Sequence, residues 1–352
     1  MKKDALDFLR KLIAAPSPSG FETPAQAVIR ERMRQYCDDV QSDVHGNVFA
    51  TINPKGSPRV MLAGHVDQIG LMITHVTDDG YLYFDEIGGI DPVTIVGKSV
   101  LLHARAGDVP GVIGRKPIHL TEKEDRGKPI KLQDLWIDIG ARNKKDALRS
   151  VEIGDVATVA GALQLLANNR FAACGLDDKV GAFAVVESLR LLSREKLSAC
   201  VSFVSTVQEE VGLRGAKTSA YHLDPEVGIA VDVGFASDCP DVDKKKVGEI
   251  SLGKGPILHR GANINPVLGR LLLETARAAK IPVQLQSAPR ATGTDANVIQ
   301  VSRAGVASAL VSIPNRYMHT AVEVCDLTDL ENTSRLLALA TKALKKGMDF
   351  RP

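Results

Sequence analysis

Apolar residues recur at helical spacing near the start of the chain, where Leu6, Leu9, Leu12 and Ile13 share one face over residues 4–15. A turn-rich Pro16-Ser17-Pro18-Ser19-Gly20 follows. Thr23, Pro24 and Gln26 then offer an N-cap, a proline at the first helical position and a capping-box partner, which predicts a second helix towards Cys37. Strand patterns occupy 44–52 and 59–63; the second is mostly apolar and is expected to be buried on both faces.

From about residue 68 to 161 the texture changes. Short β-type runs at 70–75, 81–84, 99–104, 109–113, 135–139 and 155–159 alternate with turns, without any long helical period. After Leu176 helices and strands alternate. Helices are predicted over 179–192, 213–222, 266–279 and 329–344, the last opened by Thr328 with Glu331 as capping box. Strands are predicted over 200–207, 228–233 and 306–313. Strands separated by helices of this length imply crossover connections. The expected fold is therefore an α/β domain with a mostly parallel, mixed sheet and helices on both faces. It is formed by residues 1–67 and 162–352 and interrupted by a small β-barrel-like domain at 68–161.

Composition narrows the functional classes. The chain has 352 residues, enough for about two domains. Lysine and arginine total 44 against 42 acids, a net charge of +2, too balanced to support nucleic acid or an anionic membrane as partner. The Lys244-Lys245-Lys246 run reads as a solvated loop. No stretch reaches the roughly 18 consecutive apolar residues of a membrane span, and the charged start lacks the apolar core of a signal peptide. Five scattered cysteines without CxxC spacing point to a reducing compartment, so the expected location is the cytoplasm.

Candidate chemistry gathers where the strands of an open α/β sheet would end. The 59–63 strand runs into Gly64-His65-Val66-Asp67, and Gly175-Leu176-Asp177-Asp178 precedes a helix. The 200–207 strand runs into Gln208-Glu209-Glu210, the 228–233 strand contains Asp232, and the 306–313 strand leads to His319. Taken singly, each has a plain structural reading: a solvated acidic pair, a core histidine, a helix cap. Together they crowd carboxylates at one edge, where their repulsion demands a positive partner. Two histidines and several carboxylates without cysteine suit a divalent pair such as zinc, cobalt or manganese. Cys174 reads as a buried structural thiol, because no histidine is placed to activate it. Gly253-Lys254-Gly255-Pro256 lacks the Gly-Lys-Ser/Thr of a phosphate loop.

The segments SPSGFE, AGHVDQIG, GLDDKVG, QEEVGLRGA, VDVG, TGTDANVIQ and IPNRYMHT span essentially the whole chain. Their joint set resembles the tetrahedral, dodecameric dinuclear-metal aminopeptidases, a family that includes glutamyl and deblocking aminopeptidases and proteins once labelled cellulase M. The resemblance implies a metallopeptidase domain interrupted by a β-rich dimerisation domain. It implies two divalent ions per subunit, zinc first, with cobalt or manganese as alternatives. By position, His65, Asp177 and Asp232 correspond to ligands of one metal, with Asp177 bridging to a second that Glu210 and His319 complete. Glu209 corresponds to the general base acting on a metal-bridging hydroxide, and Asp67 to the carboxylate behind His65. Asp295 lies in a family signature near the substrate pocket. The implied activity is removal of N-terminal residues from short peptides, by subunits that dimerise through the insert and close into a dodecamer. Ile90, Val93, Ile95 and Val96, in a Gly-rich loop, are the apolar surface expected to serve association.

Three other readings compete. A β-glycan hydrolase (endoglucanase) needs two carboxylates across a sugar cleft, but aromatics are only 4% of this chain and Trp136 falls in the insert. A shell protein with a vestigial site would not keep every ligand-type residue. A related di-metal deacylase or carboxypeptidase differs from an aminopeptidase only in substrate.

Overall fold

The computed structural model describes residues 1–352, the side chain of Asp125 excepted. The chain forms two compact units. One comprises Met1–Gln68, Leu163–Met318 and Val322–Pro352; the other comprises Ile69–Ala162 with His319–Ala321.

The first unit is built on an eight-stranded mixed sheet. In spatial order its strands are Val40–Ser42, Val48–Ile52, Cys200–Thr206, Arg59–His65, Val227–Phe235, Ala307–Asn315, Ile257–Gly261 and Gln284–Ala288. The four from Cys200–Thr206 to Ala307–Asn315 run parallel. These are the most apolar runs, and they are buried on both faces by helices, Leu176–Leu192 lying directly against them. That helix comes very close. A Cβ on Gly64 would meet the backbone of Gly181 and Ala182 at 2.7 Å, so glycine is required where His65 and the Asp177 turn must converge.

Several local expectations are corrected. The 44–52 run is not one strand. Asp43 accepts from the backbone N–H of His45, Gly46 and Asn47, which turns the chain between Val40–Ser42 and Val48–Ile52 and leaves Val44 exposed. The helix Thr23–Met33 has Glu22 at its N-cap position and no side-chain cap bond. Gln26 reaches away instead, donating to the carbonyls of Gly46 and Ser205. The last helix, Leu327–Ala343, is capped by Asp326, whose carboxylate accepts from Thr328 N–H at 2.7 Å; Thr328 itself is inside the helix. The strands Ile257–Gly261 and Gln284–Ala288 have no clear alternating signature, and neither does the small antiparallel sheet of Gln164–Leu165, Arg170–Ala173 and Glu323–Asp326.

The second unit is a closed antiparallel barrel. Its strands follow the order Gly70–Val76, Leu82–Ile87, Leu135–Asp138, Gly107–Arg115, Ser99–Ala104 and Val156–Val159, and the last pairs with the first. Alternate residues face its interior: Leu71 and Ile73, Val100 and Leu102, Leu135 and Ile137 are all buried. The Gly-rich segment differs from expectation. Pro92–Ile95 is a short helix capped by Asp91, Ile95 is fully buried, and Ile90 and Val96 pack on the barrel core. Only Val93, 60% exposed, remains an outward apolar residue of that group.

Candidate functional site

The register of the parallel strands lines up the chemistry. Thr206 pairs with His65, and Val231 pairs with Gly64, so Asp232 stands one residue along, level with His65. Ser312 continues the row beside Asp232. His65 Nε2 then lies 3.2 Å from Asp177 Oδ1, 3.8 Å from Glu209 Oε2 and 3.8 Å from Asp232 Oδ1. The donor atoms of His65, Glu209 and Asp232 all fall within 4.8 Å of one another, and all three residues are buried. Asp232 is further held by Val233 N–H at 2.7 Å.

Asp177 and Asp178 divide their tasks. Both have non-helical dihedrals at the start of Leu176–Leu192. Asp178 Oδ1 accepts from Gly181 N–H at 3.0 Å and caps the helix, which is the plain structural role considered for the pair. Asp177 is left to face His65. A residue not singled out from the sequence holds this turn in place: Glu323 Oε2 accepts from the N–H of Leu176 at 2.6 Å and of Asp177 at 3.2 Å. Its only sequence signal is an acid in an apolar stretch, Ala321-Val322-Glu323-Val324.

Asp67 is fully buried. His65 Nδ1 is nearer its backbone carbonyl, at 3.1 Å, than its carboxylate, at 3.4 Å. The carboxylate accepts from Ser19 Oγ and from the N–H groups of Glu209 and Glu210. Asp295 is buried nearby. One of its oxygens accepts from Thr206 Oγ1 at 2.6 Å, and the other has no hydrogen-bond partner. His319 belongs to the barrel unit, where its Nδ1 lies 2.9 Å from the Gly89 carbonyl.

The electrostatics show what this arrangement needs. Burial pushes the Glu209 carboxyl up to about 10; His65 opposes this, while Asp232, Asp295 and Glu210 add repulsion. Burial lifts Asp295 and Glu323 to about 7 and raises Asp232 and Asp178 as well. Burial would depress His65, yet Glu209, Asp177, Asp232 and Asp67 overcome it and hold its protonated form well above the usual range. Lys179, also fully buried, does not neutralise the acids. Its Nζ donates to Ala15 O at 2.6 Å and Gln68 Oε1 at 2.5 Å, and burial lowers it to about 7. The His65 imidazole sits among the buried carboxylates of Asp177, Glu209 and Asp232, and His65, Glu209 and Asp232 together form a donor set able to hold a cation. Nitrogen and oxygen donors without thiolate fit zinc, cobalt or manganese.

Comparison with known proteins identifies the family. A model of the M42 glutamyl aminopeptidase family matches residues 46–336. A lysyl aminopeptidase of Pyrococcus furiosus is 41% identical, covering 98% of this chain and 99% of the relative. The TET aminopeptidase of a marine sediment archaeon of the Thaumarchaeota matches with a TM-score of 0.93 at 33% identity over 98% of both chains. The TET1 peptidase of Pyrococcus horikoshii, which can assemble into a tetrahedron or a large octahedral shell, matches with a TM-score of 0.86 at 32% identity, over 97% of this chain and all of that one.

Proposed function

This chain belongs to the M42 glutamyl aminopeptidase family, and from that premise we propose how its buried acidic edge removes N-terminal residues from short peptides. That it is a peptide hydrolase of the metal-dependent aminopeptidase class follows from the family. The finer assignment is our reading. His65, Asp177, Glu210, Asp232 and His319 would hold two divalent ions, zinc first, with cobalt or manganese able to replace it. Ions there supply Lewis-acid polarisation of the scissile carbonyl and make a water acidic near neutral pH.

The chain's own groups do the rest. Glu209 takes a proton from the attacking water and returns it to the leaving amine. The observation that carries this reading is its buried carboxylate, whose Oε2 lies 3.8 Å from His65 Nε2. Glu323 fixes the turn that presents Asp177, and the Asp67 carbonyl fixes the His65 ring. Asp295, with an unpartnered buried oxygen, stands by as a polar group towards substrate. No helix among the described residues is long and apolar enough to cross a membrane. Five free cysteines support assignment to the cytoplasm. We further assign residues 68–161 to dimerisation, with six dimers closing into a dodecamer.

The test is a panel of aminoacyl-anilides assayed after chelation and after return of zinc, cobalt or manganese, beside a β-glucan. We expect metal-restored turnover only of substrates with a free α-amine. Chelation without effect, or glucan hydrolysis in place of anilide turnover, would overturn the reading.

A further inference from the structure

The SPSGFE segment lies far from the acidic edge in sequence, yet it touches the edge's support. Phe21 N–H donates to the Pro18 carbonyl at 2.7 Å, closing a turn with Gly20 at φ +92°, a conformation other residues adopt only under strain. The turn is pinned beside the strand carrying His65: Ser17 Oγ donates to Val66 O at 2.7 Å, and Gln68 N–H donates to Ser17 O at 3.0 Å. So placed, Ser19 Oγ donates to Asp67 Oδ2 at 2.7 Å. Asp67 Oδ1 accepts from Glu209 N–H at 3.0 Å, and Oδ2 accepts from Glu210 N–H at 3.2 Å. Both acceptor and hydroxyl are buried, Asp67 at 0% and Ser19 at 8% exposure.

The loop being gripped is unusual. Gln208, directly before the glutamates, has φ +55°, a left-handed setting that a non-glycine residue holds only when its surroundings impose it. Successive amides turned to one side form an anion-binding concavity, and here its occupant is a side chain of the protein itself. Glu22 adds a second carboxylate on the same side. It accepts from Gly20 N–H at 2.7 Å, and the Gln208 amide also favours its charge.

We propose that the turn at residues 18–21 is a positioning element for the glutamate pair: Ser19 fixes the Asp67 carboxylate, and Asp67 fixes the backbone of Glu209 and Glu210. Asp67 thereby serves the base more than the histidine, and Ser19 is a positioning residue that touches neither substrate nor metal. The inference rests on the assignment of Glu209 as base. A displaced Glu209 carboxylate would slow proton transfer while leaving substrate affinity almost unchanged.

The experiment compares Ser19→Ala, Ser19→Thr and Glu209→Gln in the intact protein. For Ser19→Ala we expect kcat to fall roughly ten- to a hundredfold, the fold-change of one hydrogen bond to a charged group, with KM and metal content little changed. Amide hydrogen exchange at residues 209 and 210 should quicken, and Ser19→Thr should restore both rate and protection. Ser19→Ala at wild-type kcat, with Glu209→Gln inactive, would overturn this inference and leave the base assignment standing. Unchanged exchange at 209 and 210 would overturn it even if kcat fell. Glu209→Gln at wild-type rate would remove the base assignment, and the inference with it.

Discussion

One helix, Leu176–Leu192, carries buried acids near both ends, and their surroundings are opposite. Near its C-terminal end Glu187 is nearly inaccessible, and it is answered by two cations: Arg32 at 2.9 Å and Arg190 at 2.6 Å. Arg32 also reaches Asp4 at 2.6 Å and lies over the rings of Phe8 and Tyr36. That region has its own charge balance and holds helices together. At the N-terminal end Asp177 joins Glu209 and Asp232 around the His65 imidazole, and the nearby ammonium of Lys179 is engaged by oxygens that carry no formal charge. A desolvated acid is paired with a charge, held by hydrogen bonds, or protonated. Glu187 is paired and structural, Asp178 and Glu323 are held to backbone amides, and we read the carboxylates around His65 as the set that takes a cation.

The largest expected effect comes from the unbalanced end. Glu209→Gln should keep the fold and its metal yet lose about 10²–10⁴-fold in kcat, whereas Asp177→Ala should lose metal and turnover together. Metal analysis alongside steady-state kinetics separates the two, and near-normal turnover in Glu209→Gln would dissolve the distinction drawn between the two ends.

The balanced end should respond in stability alone. Arg32→Ala strips Glu187 of one of its cations and should cost about 3–5 kcal/mol, read from denaturant unfolding, with metal content as in the wild type. Loss of metal in that variant would show that the two ends are not independent.

A subtler effect is expected in the pH dependence of metal-free protein. Buried Glu209 at about 10, and Asp295 and Glu323 at about 7, are all above their unfolded values. The folded state then binds more protons than the unfolded chain, so stability falls as pH rises from about 4 to about 7, above which Lys179, lowered to about 7, opposes Glu209. Thermal unfolding should show a decline with pH in the chelated protein that returned zinc flattens. Parallel profiles with and without metal would contradict that reading of the carboxylates around His65.

Much of this organisation is legible in the chain, for identifiable reasons. Short apolar runs between turns place the strand Ser99–Ala104, and longer apolar runs place the central strands, because burial dictates those patterns. His65, Asp177, Glu209 and Asp232 can be anticipated together because each follows or ends such a run. The caps are harder. Asp326 rather than Thr328, and Glu22 rather than Thr23, are choices among neighbouring polar residues decided by tertiary fit. Glu323, Ser19 and Lys179 are hidden more deeply. Each looks like an ordinary surface residue until distant segments cover it, and no local pattern encodes which amide or carbonyl it will meet.

The strand order also sets a timetable. Arg59–His65 is made early, but its two neighbours in the sheet, Cys200–Thr206 and Val227–Phe235, leave the ribosome only after the whole barrel has been synthesised. His65 and Asp232 therefore meet late, through contacts that span most of the polypeptide. A chain still being translated displays the barrel before it can possess an acidic edge. Only a molecule whose synthesis has passed Asp232 can bring that edge together.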